Sequence, residues 1–320
     1  MTGRLARALV SAATLAGMLA AAQCGGGSST QPTPNPIPEP PPGTIPPNPN
    51  PPIPSPPVTF VGAGDIAWCQ YEGARMTAQL LRTINGQIFT AGDNAYLDGS
   101  LKNYRDCYEP TWGPLRDRTR PVAGNHEYDT DPTAAGYYQY FGPAAGTAPG
   151  YYSYEVGDWH IIALNSALPN RGFQNGSAQL AWLQQDLTTF ANKKCVAAIW
   201  HHPLFTSGRN GPNTYTRDAW RILYANDVDV IINGHDHLYE RFAPQNPDGQ
   251  TDRARGIRQF TIGTGGALLY PEINLQPNSE VRITNTWGVL KMTLGGGYYE
   301  WQFVPVQGST GTDSGRADCH

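Results

Sequence analysis

The 320-residue chain has little charge, 15% Asp, Glu, Lys and Arg together, and no cationic excess: 22 Lys+Arg stand against 26 Asp+Glu, a formal net charge of -4. Binding to nucleic-acid phosphates needs the opposite balance, so that class is excluded and nothing suggests a basic arm. After residue 23 no apolar run reaches about 18 residues, which excludes a transmembrane helix in the body of the chain. Cysteine is scarce, at five residues. Proline is plentiful but confined, because 15 of the 29 fall within residues 31–57. The remainder is ordinary in proline and long enough for one large domain with a sizeable core.

Residues 1–23 place Arg4 and Arg7 before the small apolar stretch 8–22, the pattern of an export signal peptide. Cys24 follows directly, with Gly25, Gly26, Gly27, Ser28 and Ser29 behind it, and resembles the lipid-modified cysteine of bacterial lipoproteins. Gln23 departs from that pattern, where Gly, Ala or Ser is expected, so cleavage after Ala22 and free secretion is the alternative. Residues 24–57 then read as a Gly/Ser and Pro-rich tether. In extended polyproline II form, at about 3.1 Å per residue, its proline-rich part would reach on the order of 80 Å. Removing Cys24 leaves Cys69, Cys107, Cys195 and Cys319, an even set that an oxidising compartment would pair. Of the three connectivities, Cys69–Cys107 with Cys195–Cys319 is favoured, since each bridge would fasten an irregular segment or the chain end.

Residues 58–320 repeat one unit: a short β-rich run, a polar cluster with glycine, then often a helical stretch. The runs 58–63, 87–91, 121–123, 196–200 and 228–232 lead into Gly64-Asp65, Gly92-Asp93-Asn94-Ala95-Tyr96, Gly124-Asn125-His126-Glu127, His201-His202 and Gly234-His235-Asp236-His237. Helices are expected over 74–84, 177–190 and 216–225. Hairpins are expected at 151–164 and 288–304. The alternation predicts an α/β domain with mixed sheets, in which ligand sites gather beyond the carboxyl ends of strands. The five clusters would then converge.

Together they offer Asp65, Asp93, Tyr96, Asn125, His201, His235 and His237, oxygen and nitrogen donors without sulfur, suited to borderline or hard cations. These are too many for one ion. Two ions about 3.5–4 Å apart could share one carboxylate, place a hydroxide for in-line attack on phosphorus and neutralise the developing charge. The glycine before each cluster is expected to let the chain turn sharply as it leaves its strand.

These clusters make the chain resemble the calcineurin-type metallophosphoesterases, and within them the purple acid phosphatase branch. The blocks stand as GDIA (64–67), GDNAY (92–96), GNHE (124–127), AIWH (198–201) and GHDH (234–237), continuing into HDHLYER (235–241). The resemblance covers about residues 58–305 and implies a four-layer αββα sandwich with a single catalytic domain. It implies Asp65, Asp93, Tyr96 and His237 around one metal, Asp93 bridging, and Asn125, His201 and His235 around the other. A Tyr96 phenolate would favour Fe(III), with Zn(II), Mn(II) or Fe(II) beside it. His126 would meet the phosphate group and assist the leaving group. Two departures matter. Ala67 stands where the branch has glycine and other metallophosphoesterases have a histidine ligand, so the first metal depends on Tyr96. Asn210 and Gly211 stand where the plant enzymes carry paired histidines.

Other residues have plainer readings. Arg209 could grip a phosphate oxygen or be an exposed loop arginine, and His202 could line the pocket or pack. His160, in an apolar run, is read as structural. Asp236 and Glu127 are read as braces behind the ligands. Tyr137, Tyr138, Tyr140 and Phe141 are expected to fill sheet faces. Arg116, Arg118 and Arg120 are read as a solvated loop, with attraction of anionic substrate as the alternative. The sequence thus predicts an exported, metal-dependent hydrolase of small phosphate esters, most simply monoesters, held to a membrane only through Cys24 if at all. A phosphodiesterase or nucleotide hydrolase on the same core is the nearer rival. A non-catalytic metal-binding surface lipoprotein is the farther one.

Overall fold

A computed structural model of the chain describes residues 55–169 and 172–320. The expected signal peptide, Cys24 and most of the tether lie outside the described residues. Among these, the strands in chain order are β1 (Val58–Ala63), β2 (Gln87–Thr90), β3 (Thr119–Arg120), β4 (Tyr152–Val156), β5 (Trp159–Ala163), β6 (Cys195–Ile199), β7 (Val230–Asn233), β8 (Tyr239–Phe242), β9 (Arg258–Ile262), β10 (Ser279–Ile283), β11 (Gly288–Gly295), β12 (Tyr298–Pro305) and β13 (Asp313–Asp318). The α-helices are α1 (Gly73–Arg82), α2 (Leu101–Asn103), α3 (Ala135–Phe141), α4 (Ala178–Thr189) and α5 (Arg217–Ala225).

Two mixed sheets result, ordered β13-β12-β11-β1-β2-β3 and β10-β8-β9-β7-β6-β5-β4. The period-2 geometry of a strand decides what each residue touches. In the second sheet Ile161, Ala163, Ala197, Ile199, Val230 and Ile232 join the core shared with β1, β2, β11 and β12. Their alternates Ile162, Val196, Ala198 and Ile231 face the other way, onto Leu180, Leu183 and Leu187 of α4 and Trp220 and Leu223 of α5. Each fully buried leucine contributes on the order of 1.5–3 kcal/mol. On the far side α1 sets Ala74, Ala78 and Leu81 into the core of the first sheet, beside β11. The expected layered α/β architecture with mixed sheets is what the chain adopts. Ser177 caps α4 by accepting a hydrogen bond from the Leu180 amide at 3.2 Å.

The parallel strands β1, β2 and β3, and β5, β6, β7 and β9, fix one rim for the loops at their carboxyl ends. At the opposite pole the chain is fastened. Cys195 at the start of β6 is bridged to Cys319, the Cys319 amide donates to the Gly297 carbonyl at 2.9 Å, and Ser55 hydrogen-bonds Asp158 in the β4–β5 turn. The other bridge joins Cys69 to Cys107, so both favoured pairings are present.

Three expectations need correction. The run 121–123 is not a strand: the short β3 precedes it, because Pro121 has no amide to donate, and the Val122 amide goes instead to Thr90 Oγ1 at 3.1 Å. The aromatic group 137–141 forms α3 rather than a sheet face, and its Tyr140 and Phe141 rings pack on Tyr104 and Tyr108. Of the three arginines only Arg116 is exposed, and the segment is not a solvated loop. Arg118 donates to the carbonyls of Leu81, Ile84 and Gly86, closing the end of α1, while Arg116 and Arg120 lie over the Tyr140 and Tyr154 rings.

His160 is structural, as expected. It is fully buried, with Nδ1 2.7 Å from Glu155 and Nε2 2.8 Å from Asp186, its ring stacked on Phe190 and Lys193 paired to the same Glu155. Burial disfavours its charge, but the two carboxylates outweigh burial and raise its pKa. A raised folded-state pKa stabilises the fold fully below the unfolded value of about 6.5 and less as pH rises through the folded value. Denaturant unfolding should therefore show Asp186→Asn less stable than the native chain by about 2 kcal/mol near pH 6. The gap should narrow as pH is raised, and a pH-independent difference would remove this role for the pair.

Candidate metal centre

The loops after β1, β2, β3, β6 and β7 deliver the predicted residues to one place. Asp65 follows β1, Asp93 and Tyr96 follow β2, Asn125 and His126 follow β3, His201 follows β6, and His235 and His237 follow β7. Asp65, Asp93 and His235 have φ of 58°, 51° and 74°, a left-handed conformation costing non-glycine residues about 1–3 kcal/mol each. The sharp turns are thus made largely by the functional residues themselves. Among the expected glycine turns, Gly92 has φ 87°, whereas Gly124 serves by lacking a side chain: a Cβ there would lie 2.2 Å from Asp93 Oδ1.

The centre is a knot of acceptors. Tyr96 Oη lies 2.9 Å from Asp65 Oδ1, 3.1 Å from Asp93 Oδ2 and 3.1 Å from His237 Nε2. One hydroxyl proton cannot serve all three. His237 Nε2 is also 3.2 Å from Asp65 Oδ1, and His201 Nε2 is 3.2 Å from Asp93 Oδ2. The other nitrogens of these rings face carbonyl oxygens, Leu268 for His237 and Ala91 for His201 at 2.8 Å, and a carbonyl only accepts. Each Nδ1 therefore carries a proton, and each ring, when neutral, turns its Nε2 lone pair toward a carboxylate. Such pairs need positive charge between them, a proton or a metal ion.

Without an ion, a proton meets part of this demand. Burial disfavours charge on His201, yet Asp93 outweighs burial and pushes its pKa up to about 9. Burial would raise the Asp93 pKa, but His201, His126 and His235 hold it well below the usual carboxylate range. Burial and the carboxylates Asp65 and Asp93 drive the Tyr96 phenol far above its ordinary value, so only a cation stronger than the surrounding histidines would ionise it. Asn125 Oδ1 is buried and accepts no hydrogen bond from the protein. The donor set fits divalent or trivalent ions. Asp65, Asp93 and His201 form one group with candidate ligand atoms within 4.8 Å of one another, and His201, His202 and His235 form another.

The remaining predicted residues stand at the edge. His126 donates its amide to Asp93 Oδ1 at 2.9 Å, and its Nε2 lies 3.8 Å from Asp93 Oδ2. The His202 ring is 4.4 Å from that of His235, with Nδ1 2.8 Å from Ser166 Oγ. Arg209 is exposed and lies 5.2 Å over the Tyr270 ring, which stacks 4.3 Å from His237. Asn210, at one of the plant histidine positions, donates instead to the His235 carbonyl at 2.7 Å. Asp236 braces the 206–210 loop, accepting from Thr206 Oγ1 at 2.6 Å and the Asn210 amide at 2.8 Å.

The structure adds residues that sequence reasoning passed over. Asp129 sits 3.0 Å from His126 Nδ1, and its only sequence signal is an acid three positions on. Trp68 stacks on Tyr96 at 5.2 Å, and Tyr270 on His237, without any local pattern to announce them.

The sequence description of the calcineurin-like phosphoesterase family matches residues 58–239. The chain belongs to that family. Among family relatives it is similar to purple acid phosphatase 21 of Arabidopsis thaliana, 30% identical over 233 residues, covering 66% of this chain and 50% of the relative. Purple acid phosphatase 22 of the same plant shows the same identity and coverage. The chain spans about half the length of these curated relatives. Its fold resembles that of purple acid phosphatase PPD1 from yellow lupin (Lupinus luteus) seeds, TM-score 0.69 at 17% identity, covering 82% of this chain and 54% of that one. It also resembles GAP50, described as the anchor in the inner membrane complex of Plasmodium, TM-score 0.64 at 14% identity, covering 83% of this chain and 90% of that one.

Within this member of the calcineurin-like phosphoesterase family, Glu127 holds two of the strand-end loops together. Buried, it accepts from the amides of Asp93 at 3.1 Å, Asn94 at 2.8 Å and Gly124 at 2.6 Å, and from the Tyr104 hydroxyl at 2.9 Å. Glu127→Ala would strand those donors, so unfolding of the metal-free protein should be easier by about 3 kcal/mol. Unchanged stability would mean that water or a neighbour replaces the carboxylate.

Proposed function

We propose that the protein is an exported phosphoesterase that uses two cations to hydrolyse small phosphate monoesters to an alcohol and inorganic phosphate. The observation that carries this reading is the knot of carboxylates, phenol and imidazoles, buried together around a point that calls for positive charge. Asp65, Asp93, Tyr96 and His237 would hold one ion and Asn125, His201 and His235 the other, with Asp93 between them. Fe(III) suits the tyrosine side, and Zn(II), Mn(II) or Fe(II) the other. When bound, the ions would neutralise phosphate charge and lower the pKa of water. In the reaction a water oxygen bonds to phosphorus, the bond to the alcohol oxygen breaks, and the alcohol leaves with a proton.

His126 supports that chemistry from the chain's side. Its Nδ1 donates to the Leu97 carbonyl beside Asp129, which fixes the ring and turns Nε2 toward the Asp93 side of the centre. There it can meet a phosphate oxygen or hold the proton bound for the leaving group. Arg209, over the Tyr270 ring, would add a further contact to phosphate.

Metal analysis paired with turnover tests the assignment. Asp93→Asn should lower the occupancy of both ions, whereas His126→Ala should keep its metal and lose turnover by about 100-fold. Equal metal loss in both would show His126 to be a ligand. Assay of a monoester and its matching diester decides between phosphatase and phosphodiesterase. A metal-loaded chain inactive on both would instead favour a non-catalytic surface protein.

Visible spectroscopy tests the tyrosine. A phenolate-to-iron absorption band should be present in the native protein and absent in Tyr96→Phe, and an unchanged spectrum would rule out iron at Tyr96. Export, and any lipid on Cys24, belong to the same proposal. Among the described residues no helix is long and apolar enough to cross a membrane.

A further inference from the structure

Beside the centre lies a cavity of about 520 Å³ that shares Asn125 and His202 with it. Its volume falls within the range of about 300–1,000 Å³ usual for small-molecule sites. Away from the shared wall it runs over Leu168, Phe173 and Tyr215, with the Gln174 amide as a polar group. No Asp, Glu, Lys or Arg among the described residues lines it. Its walls are held: His202 Nδ1 is bonded to Ser166 Oγ, Phe173 is buried against Trp200, and the Tyr215 hydroxyl donates to the Ser166 carbonyl at 3.3 Å.

The mouth of the site is apolar as well. Leu97, Tyr215 and Leu268 are 53%, 41% and 41% exposed, although large apolar side chains are otherwise mostly buried in the described residues. Two of them belong to the residues whose carbonyls hold His126 and His237. A phosphoryl group at the centre must direct its ester substituent somewhere, and this cavity adjoins it directly. A polyol entering there would exchange water for few polar partners among the described residues. A flat apolar group would lose little hydration and gain burial.

We propose that the cavity is the leaving-group subsite and takes the ring-bearing alcohol of a phosphate monoester in preference to a small polyol. The inference rests on the monoesterase reading. Two alkyl esters with leaving groups of similar basicity test it, 2-phenylethyl phosphate and glycerol 3-phosphate. The metal-loaded protein should favour the former in kcat/KM by about 10- to 100-fold. The rim variant Leu168→Asp/Tyr215→Ser should bring that ratio close to one, and Leu168→Ser should move it in the same direction if the double variant fails to fold. Binding gives a second readout: 2-phenylethylphosphonate should bind more tightly than methylphosphonate, and the rim variants should lose the difference. Equal phosphonate affinities, or an ester ratio that the variants leave unmoved, overturn the subsite. Absence of turnover on both esters overturns the monoesterase reading, while the phosphonate comparison still judges the cavity.

Discussion

The organising constraint is the approach of two buried carboxylates, Asp65 and Asp93, to imidazole nitrogens and a phenol. In water these groups would separate or be solvated. Here the surrounding chain leaves neither option, because the carboxylates are sealed from solvent and the histidines are aimed from behind by backbone carbonyls. The arrangement is unfavourable without positive charge and favourable with it, so the fold and its cations are thermodynamically linked. Strain at Asp65, Asp93 and His235 belongs to the same balance. Backbone conformations disfavoured in isolation persist because neighbouring strands over-determine them.

That balance explains why two sheets are needed. The first sheet supplies the carboxylates, Tyr96 and the Asn125-His126 pair, and the second supplies the three histidines read as ligands. Neither sheet alone would gather donors of both kinds. The inter-sheet core of alternate residues from β1, β2, β5, β6 and β7 sets the distance between them. Glu127 acts on a smaller scale, tying the β2 loop to the β3 loop with a single carboxylate.

Much of this could be seen in the amino-acid order, since the donors lie in short polar clusters after β-rich runs, all but the His201 cluster bearing glycine. The layered fold, the main helices and the convergence of the clusters were readable for that reason. What escaped depends on groups distant in sequence. The three carbonyls that capture Arg118 come from the end of α1 and the segment after it, so a basic run looked solvated. The Tyr137–Phe141 group looked like sheet filling because its helical partners, Tyr104 and Tyr108, lie some thirty residues away. Gly124 leaves space for Asp93, a role that matters as much as the backbone freedom used at Gly92. The cavity over Leu168 and Phe173 carries no motif, because apolar residues from irregular segments have no period to detect.

The fastening of the chain at the start of β6 and beside the β4–β5 turn has an orientational result. Val58 enters, and Cys319 ends, at the pole from which β1 and β6 run toward Asp65 and His201, a separation on the order of 20 Å along a six-residue strand. The two ends of the described chain therefore lie at the pole opposite the metal-centre loops, so a load at Ser55 or Cys319 acts on the strand starts and reaches those loops only through the sheets.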